Sequence, residues 1–279
     1  MNKIKNFVVF NTMIKHGQMN AAEAFYPGIE EANERIKLMR EHKEGIAKEV
    51  GFTNNNIFMT LQANKNHPYI PGTSYQITRE DVDKYEDLYD YDVWADTVKL
   101  TPETEEVVVG FNVSDGANVI MMNQNTQEVV STFCSGAHIN KGVPYTIAEA
   151  LGGNREDMIV DISPFSYTIP FDTTGDTKEP LWISNKFAWE DCLKKKGDFL
   201  YIDQKRALLR QLEASGIKYE NIHVRENSLF DSNYYSSQRA RLQKDNTQDG
   251  RFMHAVMYEL EGEEKEYTSS YIKKYPVKK

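Results

Sequence analysis

Residues 105–124 read EEVVVGFNVSDGANVIMMNQ. Two apolar runs flank Ser-Asp-Gly, a combination with good turn chemistry, so the stretch predicts a hairpin-like or bulged pair of strands. The next segment, TQEVVSTFCSGAHINKG (126–142), predicts a strand that ends in a glycine-containing turn. VPYTIAEALGG (143–153) then predicts a short helix, with Pro144 in its first turn and Gly152 just past its end. The turn itself stands out chemically. The chain has 2 cysteines and 6 histidines, and FCSGAHINKG sets Cys134 and His138 four positions apart.

Outward from this centre, strands and helices mix without a strict βαβ period. FVVFNT (7–12) and NNIFMTLQANK (55–65) read as strands, the second running into a polar turn. Between them, residues 27–52 predict a helix with Ile29, Ile36, Met39, Ile46 and Val50 near one face and Gly51 as C-cap. EDMIVDISPFSY (156–167) predicts a strand that stops at Pro164, and 168–197 reads as loop-rich. FLYIDQKRALLRQLEASGI (199–217) predicts a second helix with Leu208, Leu209 and Leu212 on one face and Gly216 closing it. NIHVREN (221–227) and DGRFMHAVMYEL (249–260) read as strands before a charged C-terminal tail. No repeat and no Pro/Ser/Gly-rich linker divides the chain. These elements predict an α+β (mixed α/β) fold, a single domain over 1–279 with mixed sheets flanked by helices. An acidic, tyrosine-rich insertion around 79–94 reads as a solvated or helical face.

Composition narrows the function classes. Hydrophobic residues make up 40% of the 279, enough for a core and against disorder. A net charge of −9 argues against a nucleic-acid partner, which calls for clustered Lys and Arg. Two cysteines cannot build a disulfide framework, which fits a reducing compartment. No stretch approaches the roughly 18 apolar residues of a membrane span, and FVVF is too short for a signal peptide; the expected location is the cytoplasm. There is no G-x-S-x-G, P-loop, H-E-x-x-H or G-x-G-x-x-G motif. Cys192 lies beside lysines but lacks a neighbouring base, and Trp182, Phe187 and Trp189 read as core or lid packing, with stacking on a purine as the alternative.

The order of the pieces resembles the bacterial laccase-domain family, variously named multicopper polyphenol oxidase, peptidoglycan editing factor and purine nucleoside phosphorylase. Counterparts of its elements run along nearly the whole chain: EEANERIKLMREHKEGIAKEVGF (30–52), LQAN (61–64), VSDGAN (113–118), FCSGAHINKG (133–142), ISPFSY (162–167), YIDQKRALLRQLEASGI (201–217), YYSSQR (234–239) and DGRF (249–252). The resemblance implies that fold, a pocket at the strand ends for a purine nucleoside or similar small molecule, and a zinc held by two histidines and a cysteine. A three-ligand ion leaves a position open for water or substrate.

At the positions of that ligand set this chain carries Asn64, Gly116 and Ala137, and the family's Trp-Arg pair becomes Asn140-Lys141. A family-type metal site is therefore expected to be degraded. Zinc or copper would require a rewired set drawn from His67, Cys134 and His138, so no cofactor is expected. The candidate catalytic residues are Asp115, matching the aspartate beside the family cysteine, and His138. The candidate ligand contacts are Asn64, Lys141 (for the family arginine) and Arg239. Two readings follow: an enzyme or binder acting on a nucleoside-like molecule, or a pseudoenzyme serving as a ligand-binding or protein-interaction module through the acidic insertion.

Overall fold

The computed structural model describes residues 3–19, 25, 26, 28–51, 57–60, 74–84, 95–174 and 183–278, with backbone alone for 57–60, 74, 75 and 82–84. In chain order the first elements are β1 (Ile4–Asn11), α1 (Ala32–Val50), β2 (Ile57–Thr60), β3 (Ser74–Gln76), α2 (Arg79–Lys84) and β4 (Thr97–Leu100). The centre holds β5 (Val108–Val113), β6 (Ala117–Asn123), β7 (Val129–Cys134), α3 (Gly136–Asn140) and α4 (Val143–Leu151). Then come β8 (Met158–Ile162), β9 (Thr168–Asp172), α5 (Lys186–Trp189), β10 (Leu193–Lys196), β11 (Phe199–Asp203) and α6 (Gln204–Ala214). The chain closes with β12 (Ile222–Val224), α7 (Ser237–Gln243), β13 (Phe252–Leu260) and β14 (Ile272–Pro276).

β5 and β6 do not form the hairpin that Ser-Asp-Gly suggests. β5 lies in a five-stranded sheet, β14-β1-β13-β5-β2, and β6 in a six-stranded one, β12-β8-β6-β7-β4-β3. Ser114-Asp115-Gly116 carries the chain from one sheet to the other. The reason lies in burial: every residue of β5 and of β6 is buried. Runs buried on both faces need neighbours and cover on both, and the two strands find them in different sheets, β13 and β2 beside β5, β7 and β8 beside β6. The hairpin is β6–β7 instead, paired antiparallel from Ala117↔Cys134 to Met122↔Val129.

Alternation along the strands then builds four layers. Val109, Phe111 and Val113 face the core between the sheets, with Phe7, Val9 and Phe252 from their own sheet and Val98, Ile120, Met122 and Phe133 from the other. Val8, Phe10, Val108 and Met253 face outward under Ile46, Ala47 and Val50 of α1, whose C-cap Gly51 adopts the expected left-handed conformation. Val119, Met121, Val130 and Cys134 face the opposite side, under Ile147 and Leu151 of α4 and Leu208 and Leu212 of α6. Further readings of the sequence need correction: the turn after Cys134 holds helix α3, and the charged C-terminal tail carries strand β14, paired with β1. The stretch 199–217 opens as strand β11 before α6 begins, and 168–197 contains β9, α5 and β10, so that a third sheet, β10-β11-β9, closes the α6 side.

A polar seam crosses the core between the two large sheets. Asp161 of β8 is fully buried and accepts hydrogen bonds from Arg225 Nε (2.6 Å) and Nη2 (3.0 Å), His254 Nε2 (3.1 Å) and the Tyr275 hydroxyl. Arg225 also donates to the carbonyls of Val9 (3.0 Å) and Tyr271 (2.8 Å), so one guanidinium bolts both sheets together. Breaking a buried pair by removing one charge is costly because the other is left uncompensated. Asp161→Asn should therefore lower stability by about 3–5 kcal/mol in urea unfolding, and a loss below about 1 kcal/mol would show that the seam behaves like a surface pair.

Candidate functional site

The strand register brings one set of ends together. Asn11 of β1 pairs with His254, Thr60 of β2 with Phe111, and Val113 of β5 with Phe252. In the other sheet Cys134 of β7 pairs with Ala117, Ile162 of β8 with Val119, and Val224 of β12 with Ile162. The segments that leave these ends, 114–116, 135–138, 163–167 and 225–239, therefore gather at a single edge of the sandwich. Loops on a rigid scaffold of this kind are where binding groups concentrate.

Asp115 is the centre of this cluster. Its Oδ1 accepts hydrogen bonds from the hydroxyls of Ser166 and Ser236, each at 2.6 Å, and its Oδ2 accepts the backbone N–H of Gln238 at 2.8 Å. Its carbonyl accepts the Ser166 N–H (3.1 Å) and Gln204 Nε2 (3.4 Å). One residue thus ties the sheet-to-sheet crossing to the loop after β8, the start of α6 and the start of α7. Beside it, Arg251 Nη1 donates to Ser237 Oγ (3.3 Å) and lies 3.6 Å from Asp249 Oδ1. Burial pulls the Arg251 pKa down, and the carboxylates of Asp249 and Asp115 oppose that shift.

His138 is wholly buried and lies on α3. Its Nδ1 accepts the Ser135 N–H at 3.1 Å and lies 2.8 Å from Ser135 Oγ, which places the ring proton on Nε2, 3.5 Å from Asp96 Oδ2. The ring edge meets Phe133 with centroids 5.2 Å apart. Burial, with the charge of Lys141 adding to it, lowers the pKa to about 3. Ser135, His138 and Asp96 form a hydroxyl–imidazole–carboxylate succession. A ring this reluctant to take a proton is a poor general base, and the nitrogen facing the hydroxyl is the one that caps the helix in a capping box. The trio locks the turn.

Gly116, where the resemblance puts the family's cysteine, is closed by packing. A Cβ on Gly116 would lie 2.7 Å from Phe133 Cζ and 3.1 Å from Cε2, so the ring occupies the space a ligand side chain would need. Cys134 faces the helical layer, and burial followed by the charge of Asp96 pushes its thiol well above the usual range. Among the described residues no three His, Cys, Asp or Glu side chains converge as a metal would require. These residues do not fit a family-type zinc. Asn64 and His67 lie outside the described residues.

Lys141 is exposed at the C-cap of α3. Arg239 is buried and spends its guanidinium on carbonyls: Nη1 donates to Ser228 (2.6 Å) and Asp231 (2.8 Å), Nη2 to Tyr234 and to Gln248 Oε1 (3.0 Å). Asn140, in the family's Trp-Arg pair, is a further clasp. Its Oδ1 accepts the N–H groups of Ser184 (2.9 Å) and Asn185 (2.8 Å) and the Trp189 indole (3.1 Å). Sequence reading singled out neither Ser166 nor Ser236, although ISPFSY and YYSSQR already carried them; nothing local marked Asp96 as the partner of His138.

No family model matches the chain, and no curated relative does. Solved structures do. YlmD from Geobacillus stearothermophilus superposes with a TM-score of 0.63 at 17% identity over 90% of this chain and 92% of that one. The hypothetical protein YfiH of Bacillus licheniformis gives 0.60 at 12% over 80% and 82%. Neisseria meningitidis NMB0706, of the family model DUF152, gives 0.62 at 10% over 93% and 100%. The chain has the laccase-domain fold that the order of its motifs implies.

Two outcomes follow. Asp115→Asn weakens a charge-assisted cluster and should cost about 1.5–3 kcal/mol, read by urea unfolding; no change would show that the clasp is idle. His138 and His254 have folded pKa values of about 3 and about 4 against an ordinary 6.5, burial being the main cause of both. The unfolded chain therefore binds protons that the folded chain refuses, so stability is complete above about pH 6.5 and falls as pH drops toward 4. Urea midpoints should decline across that window, and His138→Gln with His254→Gln should flatten the decline.

Proposed function

We propose that this laccase-fold protein binds a purine nucleoside or similar small polar molecule at the strand-end cluster, without a family-type zinc. The observation that supports the reading is the packing of Phe133 against Gly116, where the resemblance puts the metal-binding cysteine, beside the ordered polar groups around Asp115. A nucleoside presents ring donors and acceptors and ribose hydroxyls, and partly exposed Asp249 and Arg251 at the rim complement both. Lys141 supplies an exposed cation next to α3. Catalysis by Asp115 or His138 is disfavoured, since the carboxylate is engaged by three donors and the imidazole is a weak base; binding is the better supported role.

Calorimetric titration of chelator-treated protein with inosine and adenosine tests the reading. Binding is expected to persist without metal and to weaken in Lys141→Ala and Asn64→Ala, and elemental analysis should find well under one zinc per chain. Binding that depends on restored zinc, or the absence of heat with every purine nucleoside, would overturn it. A packing test accompanies it: Gly116→Ala should cost about 1–3 kcal/mol through overpacking, and Phe133→Leu should recover most of that loss.

A further inference from the structure

Two consecutive serines at the start of α7 address two different aspartates. The Ser236 hydroxyl donates to Asp115 Oδ1 at 2.6 Å inside the cluster, and the Ser237 hydroxyl donates to Asp249 Oδ1 at 2.5 Å. The two carboxylates are not equally engaged. Asp115 accepts three donors spread over both oxygens. Asp249 accepts Ser237 on Oδ1, and among the described residues nothing donates to its Oδ2. Its side chain is 38% exposed, which leaves the carboxylate open to a donor from solution.

The backbone on either side of Asp249 is fixed. Gln18, from the segment after β1, donates from Nε2 to the Asp249 carbonyl (3.2 Å) and accepts the Arg251 N–H on Oε1 (2.9 Å). The Asp249 N–H donates to the Asn246 carbonyl (3.1 Å). Gly250 is buried between them, and a Cβ there would lie 2.6 Å from Tyr235 Cδ1, so no larger residue fits this turn. Arg251 packs its guanidinium over Phe25, 4.7 Å from the ring centroid, and donates from Nη1 to the Gly250 carbonyl (2.7 Å). Its 3.6 Å separation from Asp249 Oδ1 is longer than a hydrogen bond. The cation thus stands beside the carboxylate without occupying it. An acceptor held in place by its own backbone and by one serine is ready to take hydroxyl donors without rearrangement.

We propose, resting on the nucleoside reading above, that Asp249 binds the ribose 2′,3′-diol and so selects ribonucleosides over deoxyribonucleosides. An ionised carboxylate only accepts hydrogen bonds, so its complement is a pair of adjacent donors. The diol offers that pair in every ribonucleoside, whereas among adenine, hypoxanthine and guanine only guanine carries two adjacent donors on its ring edge. Each hydroxyl also accepts, and the Arg251 guanidinium beside the carboxylate donates in return. An acidic side chain on the ribose hydroxyl serves dinucleotide-binding folds in the same way, and the 2′-hydroxyl is the group by which proteins separate ribose from deoxyribose.

The test is calorimetric titration of the full chain with adenosine, 2′-deoxyadenosine, guanosine and 2′-deoxyguanosine, in the natural sequence and in Asp249→Asn. The natural sequence is expected to bind each ribonucleoside about 10- to 100-fold more tightly than its deoxy form. Asp249→Asn keeps an oxygen for Ser237 and loses the charge that holds the diol. It should therefore lose most of that ratio while binding 2′-deoxyadenosine about as before. A role confined to bracing α7 would instead lower both affinities together. The ratio in the natural sequence needs no variant, so the proposal stays testable even if Asp249→Asn fails to fold. A deoxynucleoside bound as tightly as its ribonucleoside, or a ratio unchanged in folded Asp249→Asn, would overturn the proposal and leave the nucleoside reading standing. No heat with any of the four would overturn both.

Discussion

One carboxylate holds the working end of this molecule together. Asp115 sits where the chain leaves one large sheet for the other, and two serine hydroxyls and a backbone N–H converge on it. Those donors come from the loop after β8 and from the start of α7, segments far apart in sequence. Hydrogen bonds to a charged acceptor are stronger than neutral ones, so the crossing turn becomes a fixed point around which the strand-end loops are arranged. The Asp161–Arg225–His254 seam does the same work deeper in the core, between the sheets themselves.

The order of layers follows from burial more than from turn chemistry. Ser114-Asp115-Gly116 is an acceptable hairpin turn in isolation, yet β5 and β6, both buried along their whole length, belong to different sheets. This is where local reading fails: pairing is decided by strands distant in sequence, here β13 beside β5 and β7 and β8 beside β6. α1 and α4 were legible because their signals are local, whereas α3 reads as a turn, α5 reads as loop, and α7 has no counterpart in the sequence reading. Pro144 opens α4, and Gly51 and Gly152 close α1 and α4 with positive φ. α6 was legible too, but its first residues were not, since the apolar run FLYID serves equally as strand.

Motif order singled out Asp115, but its three donors are visible only in space. His138 caps its own helix through Ser135, a local relation that a capping-box reading with histidine at the third position would have found. Arg239, a candidate ligand contact from its motif, instead carries its charge into a nest of carbonyls. Around Gly116 the constraint is steric: the Phe133 ring lies where a side chain at that position would go.

The most direct test of that account is diffraction from crystals grown with excess zinc chloride, with anomalous data collected at the zinc edge. The account predicts no anomalous peak among Gly116, Phe133, Ala137 and His138, and a Phe133 ring packed over Gly116. A well-occupied zinc at that position, with Phe133 displaced and His138 turned away from Ser135 to ligate it, would contradict it.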